Sequence, residues 1–143
     1  QNGWTRYACW HRLPASLYAT RHLKPAPAMR AYDMTDDYST YVSGSRAENV
    51  RRRERELLQM VDLVLVTSPA LLRLGTAHNK NIFFIPNGVD YELFAQVGTP
   101  AAQRDPSVAH LKSPVIGYVG YIKDWINLDL VAQLGERWPG KRP

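Results

Sequence analysis

The segment over residues 61–85 carries the pattern that most constrains the fold. It begins with VDLVLV (61–66) and ends with NIFFI (81–85), two short apolar runs rich in β-branched and aromatic residues, as is typical of buried strands. Between them, TSPALLRLG has the signals of a helix, with Ser68 as N-cap and Gly75 just past the end. The segment therefore predicts two parallel strands joined by a helical crossover, in a sheet covered by helices on both faces.

The part of the chain before this segment continues the alternation of strand and helix. Residues 45–61 place apolar side chains on one face at a period near 3.6 and the i,i+4 pair Arg52–Glu56 on the other, which predicts a surface helix. RAYDM (30–34) predicts a short strand. The aromatic and leucine spacing of the first 30 residues predicts one or two amphipathic helices, interrupted by Pro14.

A change of composition follows the Pro-Asn-Gly turn that ends the second strand. Asp90 is placed to cap a short helix, and residues 95–114 are rich in proline, glycine and alanine, which indicates an interdomain linker or a long surface loop. PVIGYVG (114–120) then predicts a third buried strand ending in glycine. A helix follows it, with Asn127 as N-cap and its apolar residues on one face.

Charge and cysteine content narrow the class of protein without choosing one function. The net charge is +5, and part of the excess lies in Arg51, Arg52, Arg53 and Arg55. Such a run permits contact with phosphates, anionic lipid or nucleic acid, and a solvated helix face is the alternative. Cys9 is the single cysteine, so there is no intrachain disulfide and a reducing compartment such as the cytoplasm is expected. Hydrolase, zinc-protease and Walker motifs are absent from the sequence.

Candidate site residues lie in the loops that follow the predicted strands, because ligands of open α/β sheets bind outside the carboxyl ends of the strands. Asp33, Asp36 and Asp37 offer carboxylates to a hydroxyl-rich substrate or as a base, and turn formation is the open alternative. Gly120 would let a ligand approach the backbone, unless it only makes a tight exit. Lys123 is the cation of its loop that can meet a phosphate, and an ordinary solvated lysine is the alternative.

The three segments VDLVLVTSPALL, KNIFFIPNGVDYELF and PVIGYVGYIKDWINLDLVAQLGERWP together resemble the GT-B glycosyltransferases. They are most similar to the bacterial retaining enzymes that build surface polysaccharides from nucleotide sugars. The resemblance covers residues 31–139. It implies an α/β fold with Rossmann-like parallel sheets. It also implies that residues 1–94 end the N-terminal, acceptor-side domain, 95–114 form the linker, and 115–143 begin the C-terminal, nucleotide-sugar-binding domain.

The same resemblance implies roles for individual residues. Gly120, Tyr121 and Lys123 match the glycine-rich turn beside the donor diphosphate, with Tyr121 where many members have a basic residue. Asp36 and Asp37 fall in the acceptor-side loop and are the catalytic candidates. The family's paired glutamates would come after residue 143, so we expect an incomplete chain that is inactive as a transferase on its own.

The expected function is transfer of a sugar from a nucleotide-diphosphate sugar to a saccharide or lipid-linked acceptor. Neither a cofactor nor a metal is expected, and no nucleic-acid partner. The basic run over residues 51–55 is a candidate for peripheral contact with the inner membrane face, where lipid-linked acceptors reside. Two alternatives stay open, a nucleotide-sugar epimerase of the same fold and a non-catalytic α/β binding module.

Overall fold

The computed structural model describes residues 6–100, 102–111, 115–124 and 126–137 of the chain. The chain divides into two compact units, Gln1–Val89 and Asp90–Pro143, which are described separately below. The fold is α/β with an all-parallel sheet, as the sequence predicts. The proposed linker over residues 95–114 stays a prediction.

The first unit holds a four-stranded sheet and the helices that connect its strands. The strands are β1 (Ala8–His11), β2 (Met29–Met34), β3 (Leu63–Val66) and β4 (Ile82–Phe84). The connections contain α1 (Ser16–Thr20), a 3₁₀ helix (Tyr38–Tyr41), α2 (Gly44–Met60) and α3 (Pro69–Thr76). The second unit contains α4 (Tyr91–Phe94) and α5 (Leu128–Arg137).

The strands lie in the order β1-β2-β3-β4, and each neighbouring pair is parallel. Tyr32 and Val64 are register partners and point to the same face of the sheet. On that face a single core joins side chains from β2 and β3 to side chains from α1, α2 and α3: Leu17, Tyr32, Met34, Leu57, Leu58, Val61, Val64, Val66 and Leu71. Helices α1, α2 and α3 therefore pack against one face of the sheet.

The expectation of helices on both faces of the sheet is wrong for the described residues of this unit. Strands that follow one another in order, joined by right-handed crossovers, place their helices on the same side. On the opposite face, Trp10 is 57% and Phe83 is 52% exposed, although Ala31 is fully buried. The predicted second strand, NIFFI, is confirmed as β4, but as an exposed edge strand and not a buried one.

Most local predictions between residues 30 and 85 are confirmed. The strand at 30–34, the helix at 45–61 and the strand–helix–strand segment all form. The Ser68 hydroxyl accepts a hydrogen bond from the Leu71 N–H at 3.2 Å, as an N-cap does. Gly75 lies inside α3 and not past its end. A Cβ there would stand 2.5 Å from Cδ1 of Ile82, so glycine allows β4 to pack closely against the helix.

Within the first 30 residues, the predicted helix after Pro14 forms as α1, but residues 8–11 form a strand where the sequence predicts a helix. Ala8–His11 pair with Met29–Tyr32 to form the β1 edge of the sheet. Of the aromatic and leucine residues that produced the helical spacing, Leu17 is buried, whereas Leu13 and Trp10 are more than half exposed. The spacing matched a helical period, but pairing with β2 decides the conformation.

The predicted third strand is also wrong for its described residues. Residues 115–119 form neither strand nor helix, and Ile116 is 84% exposed. The described part of this unit contains no strand with which residues 115–119 could pair. An apolar run forms a strand only where its backbone groups find hydrogen-bond partners. Pro114 and Trp138 lie outside the described residues. The helix that follows is confirmed, since the Asn127 side chain accepts from the Leu130 N–H at 2.9 Å.

None of the helices in the described ranges has the length and apolar character that a membrane span requires.

The carboxyl end of α2 is closed by a side chain from the loop that precedes β4. The side-chain nitrogen Nδ2 of Asn79 donates to the carbonyl oxygens of Leu58 and Val61, at 2.8 and 2.9 Å. Its side-chain oxygen accepts from the Asn81 N–H at 2.8 Å. Asn79 therefore satisfies two carbonyl groups that a helix end leaves unpaired and holds the loop in place.

We predict that Asn79→Ala lowers the free energy of unfolding by about 2 kcal/mol, because it removes three hydrogen bonds and leaves partly buried carbonyls unpaired. Asn49→Ala is the matched control, since Asn49 is exposed on α2; a change below about 0.5 kcal/mol is expected there. Urea-induced unfolding of both variants measures the difference. Equal losses in the two would contradict the role of Asn79.

Candidate functional site

Polar side chains gather at the carboxyl edge of the sheet, where the loops after β1, β2 and β3 meet. Oδ2 of Asp33, near the end of β2, lies 3.5 Å from Nε1 of Trp10 and 3.7 Å from Nε of Arg12. The hydroxyl of Thr67, directly after β3, donates to the Thr35 carbonyl at 2.9 Å. Three strand ends are therefore tied together at the edge where α/β sheets bind ligands.

Asp36 is the exposed carboxylate of this edge. Its Oδ1 accepts from the Tyr41 hydroxyl at 3.1 Å, and its Oδ2 accepts from the Thr35 hydroxyl at 3.3 Å. The bond to Asp36 raises the pKa of the Tyr41 hydroxyl, so this phenol stays a donor. Both partners of Asp36 are hydroxyl groups. A hydroxyl group of a ligand could replace either of them as a hydrogen-bond donor to Asp36.

Asp37 differs sharply from its neighbour, because it is built into the backbone of the 3₁₀ helix. Its Oδ1 accepts from the Ser39 N–H at 3.1 Å and from the Ser39 hydroxyl at 2.6 Å. Its carbonyl accepts from the N–H and the hydroxyl of Thr40. The turn-forming alternative therefore describes Asp37, whereas Asp36 keeps a carboxylate open to solvent.

We predict that Asp37→Ala lowers the free energy of unfolding by about 1 kcal/mol, the usual cost of a lost cap. Asp36→Ala is the matched control and should cost less than about 0.5 kcal/mol, since its partners are partly solvated hydroxyls. Urea denaturation followed by circular dichroism distinguishes them. A larger loss for Asp36→Ala would overturn the assignment of the cap.

The candidates of the second unit lie next to one another in an exposed loop. Gly120 has a φ of +155°, and a Cβ there would meet the Tyr118 hydroxyl at 2.7 Å. That hydroxyl donates to the Tyr121 carbonyl at 3.0 Å. The Lys123 ammonium lies 5.6 Å from the centroid of the Tyr121 ring. In this structure the group that closely approaches the Gly120 backbone is therefore the Tyr118 side chain.

A buried acid on the inner face of α2 is not among the site residues that the sequence predicts. Glu54 is 3% exposed, and its Oε1 accepts from the Tyr32 hydroxyl at 2.8 Å. Burial raises the pKa of Glu54 and also raises the pKa of the Tyr32 hydroxyl. The sequence contains a signal for this burial, because Glu54 lies seven residues after Ala47 and three before Leu57, on the apolar face of the helix.

The raised pKa of Glu54 has a consequence for stability. A carboxyl whose folded pKa is raised stabilises the fold fully below its unfolded value, 4.5, and this contribution is lost as the pH rises through the folded pKa. We therefore predict that the stability of Glu54→Gln, relative to the unsubstituted chain, increases as the pH rises above about 4.5. Urea midpoints over a pH series measure this difference.

Glu56→Gln is the control for that series. Glu56 forms a solvent-accessible pair with Arg52, at 2.9 Å between Nη1 and Oε1, and replacing it should give no increase of relative stability with pH. Parallel stability profiles for Glu54→Gln and the unsubstituted chain would contradict a raised pKa at Glu54.

A histidine and a serine also come together, at the end of β1. His11 is 1% exposed, and its Nδ1 lies 2.8 Å from the Ser16 hydroxyl, which donates to the Leu13 carbonyl at 2.6 Å. The serine proton is thus directed to a carbonyl, and the imidazole Nδ1–H is the donor to serine. Burial lowers the pKa of His11, which favours the neutral ring. The pair is arranged for structure and not for an activated nucleophile.

The basic run on α2 does not form one surface. Arg52 pairs with Glu56, and the Arg53 guanidinium lies 5.0 Å from the centroid of the Tyr18 ring. Arg51 and Arg55 instead line a cleft beside the helix. The run is therefore divided among different neighbours, and peripheral membrane contact stays a prediction.

The described residues contain no group of three or more His, Cys, Asp or Glu side chains arranged to hold a metal ion. The expectation that no metal is needed stays a prediction. Comparisons with family models, with curated proteins and with solved structures gave no match to this chain.

Proposed function

We propose that the chain belongs to a glycosyltransferase that moves a sugar from a nucleotide-diphosphate sugar to a saccharide or lipid-linked acceptor. The observation that carries the proposal is the exposed Asp36 carboxylate at the carboxyl edge of a parallel sheet, whose partners among the described residues are hydroxyl groups. The sequence resemblance described above implies that the acceptor loop lies at this point. The fold by itself does not select a reaction.

The surroundings of Asp36 fit a hydroxyl-rich acceptor. Sugar hydroxyls can replace the hydroxyl donors from Thr35 and Tyr41 without leaving the carboxylate unpaired. The Tyr38 and Tyr41 rings stand edge to face, with centroids 6.1 Å apart, and offer apolar faces together with polar ends. In the proposed reaction, the acceptor oxygen forms a bond to the anomeric carbon of the donor sugar, the bond from that carbon to the diphosphate breaks, and the acceptor proton passes to Asp36.

The donor side of the proposal uses the loop at Gly120. The Lys123 ammonium is the cation of this loop, and a diphosphate leaving group gains charge as the bond to the sugar breaks. The Tyr121 ring beside Lys123 supplies a flat surface on which a nucleotide base or sugar can lie. An epimerase needs the donor loop but no acceptor site, so binding of a free saccharide near Asp36 distinguishes the two activities.

We predict that methyl α-glucoside or methyl α-mannoside, titrated into the 143-residue chain, gives saturable amide NMR shifts at Asp36, Tyr38 and Tyr41. Asp36→Asn should weaken this binding about tenfold, the typical effect of losing a charged hydrogen-bond acceptor. Asp105→Asn removes the same charge from an exposed position in the second unit and should leave the affinity unchanged. Shifts that arise elsewhere, or that ignore the Asp36 substitution, would contradict the acceptor site.

A second titration examines the donor loop. Uridine and guanosine diphosphates should shift the amides of Gly120, Tyr121 and Lys123, and Lys123→Gln should reduce the affinity. Lys80→Gln is the control with the same change of charge, since the Lys80 ammonium donates to the Thr76 carbonyl in the first unit. If both lysine variants weaken the nucleotides equally, a general charge effect replaces the proposed contact.

A further inference from the structure

A cleft of about 100 Å³ lies between α2, the 3₁₀ helix and the end of α3. Its polar lining comes from three separate parts of the chain. Arg51, Glu54 and Arg55 belong to α2, Asp37 and Ser39 to the 3₁₀ turn, and His78 follows α3. Leu58 and Leu74 complete it with apolar surface. Asp36 is not among the residues that line this cleft.

The residues that α2 contributes lie on one stripe of the helix. Arg51, Glu54 and Arg55 are spaced i, i+3 and i+4, so their side chains are neighbours on the same face. Within the described part of the chain, neither Arg51 nor Arg55 forms a salt bridge. Two guanidinium groups that no salt bridge of the described residues uses therefore line the same cleft as the buried Glu54.

The Glu54 carboxyl is fixed by its single hydrogen bond to Tyr32. Because Oε1 accepts from the Tyr32 hydroxyl at 2.8 Å, Oε2 is the oxygen left for the cleft. Burial raises the pKa of Glu54, which favours the neutral acid with its proton on Oε2. A protonated carboxyl in this position is a hydrogen-bond donor.

The balance of charge favours an anion. Arg51 and Arg55 bring two positive charges, and Asp37 brings one negative charge whose Oδ1 already accepts from Ser39. Glu54 adds a second negative charge only where it is ionised. The volume of about 100 Å³ is room for a tetrahedral ion of five heavy atoms.

We propose that this cleft binds a small free oxyanion of the phosphate and sulfate class. The guanidinium groups of Arg51 and Arg55 donate to its oxygens, and the carboxyl of Glu54 donates from the inner side. Planar guanidinium forks match the geometry of such anions. The site does not depend on the glycosyltransferase proposal, and either can fail without the other.

The first experiment titrates sodium sulfate, and then inorganic phosphate, into the 143-residue chain while amide NMR spectra are recorded. Saturable shifts are expected at Ser39, Glu54 and His78. Arg51→Gln and Arg55→Gln should each weaken the binding about tenfold, as expected for a charge-assisted hydrogen bond. Arg46→Gln is the matched control on the same helix, because it removes the same charge from an exposed residue outside the cleft, and it should change the affinity less than twofold.

The second experiment uses Glu54→Gln, which keeps a donor but cannot ionise. Sulfate keeps its charge across the working range of pH, so any change of affinity reports the protein. The charged and titratable groups around Glu54 are Tyr32, Asp37, Arg51, Arg55 and His78. Sulfate should bind the unsubstituted chain more weakly once Glu54 ionises, and Glu54→Gln should not show that step. The other groups are the same in both proteins, so the difference between the two profiles isolates Glu54.

Three results would overturn the proposal. The first is an absence of saturable shifts at the cleft, and the second is an equal loss of affinity in Arg46→Gln. The third is that vesicles containing phosphatidic acid bind the chain while sulfate and phosphate do not, which would assign the arginines to a membrane surface. Saturable binding that Arg51→Gln and Arg55→Gln weaken and Arg46→Gln does not would support it.

Discussion

The parallel pairing of β2 with β3 determines where every functional group of the first unit lies. It aligns Tyr32 with Val64 and Met34 with Val66, which gives the sheet one continuous apolar face. Helix α2 connects these two strands, so it must run back across that face with Leu57 and Leu58 inward. This crossover returns the chain to the start of β3, so the polar loop after β2 lies at the carboxyl edge of the sheet. Arg51 and Arg55 lie on the part of α2 that borders the cleft.

The same constraint explains why a titratable acid is buried in this fold. Tyr32 is in the middle of the core face, and a tyrosine buried there needs a partner for its hydroxyl. Glu54 supplies the partner, but a buried carboxylate is costly in free energy unless it is neutralised or paired. The raised pKa is the consequence of that placement. The hydrogen bond between Tyr32 and Glu54 thus fixes the position of α2 over β2, and it leaves Oε2 of Glu54 for the cleft.

The features that the sequence predicts correctly are those that depend on neighbouring residues. β3, α3 and β4 follow from apolar runs and a cap at Ser68, and α2 follows from its helical period. β1 was missed because an edge strand depends on pairing with residues about 20 positions away. The run at 115–119 was predicted as a strand because its composition is apolar, and composition cannot supply the partner that a strand requires.

The candidate sites also differ in how far the sequence predicts them, because some depend on neighbouring residues and others on residues distant in the chain. Asp36 and Asp37 stand out because they follow a strand, but only the structure distinguishes the cap from the open carboxylate. The cleft combines residues 37–39, 51–58 and 74–78, and nothing local in the sequence brings these segments together. Which acid of the charged run becomes buried depends on Tyr32, a residue of another element.

Three carboxyl groups close in sequence or in space therefore have different chemistry through their surroundings alone. Asp36 is exposed and holds exchangeable hydroxyl partners, which suits a ligand that arrives and leaves. Asp37 holds backbone and hydroxyl donors of Ser39, which suits a fixed turn. Glu54 is buried against a phenol, which suits a neutral donor. Since Asp37 fixes Ser39 in the lining of the cleft and directly follows Asp36, the 3₁₀ turn is the structural element that the carboxyl edge and the cleft share.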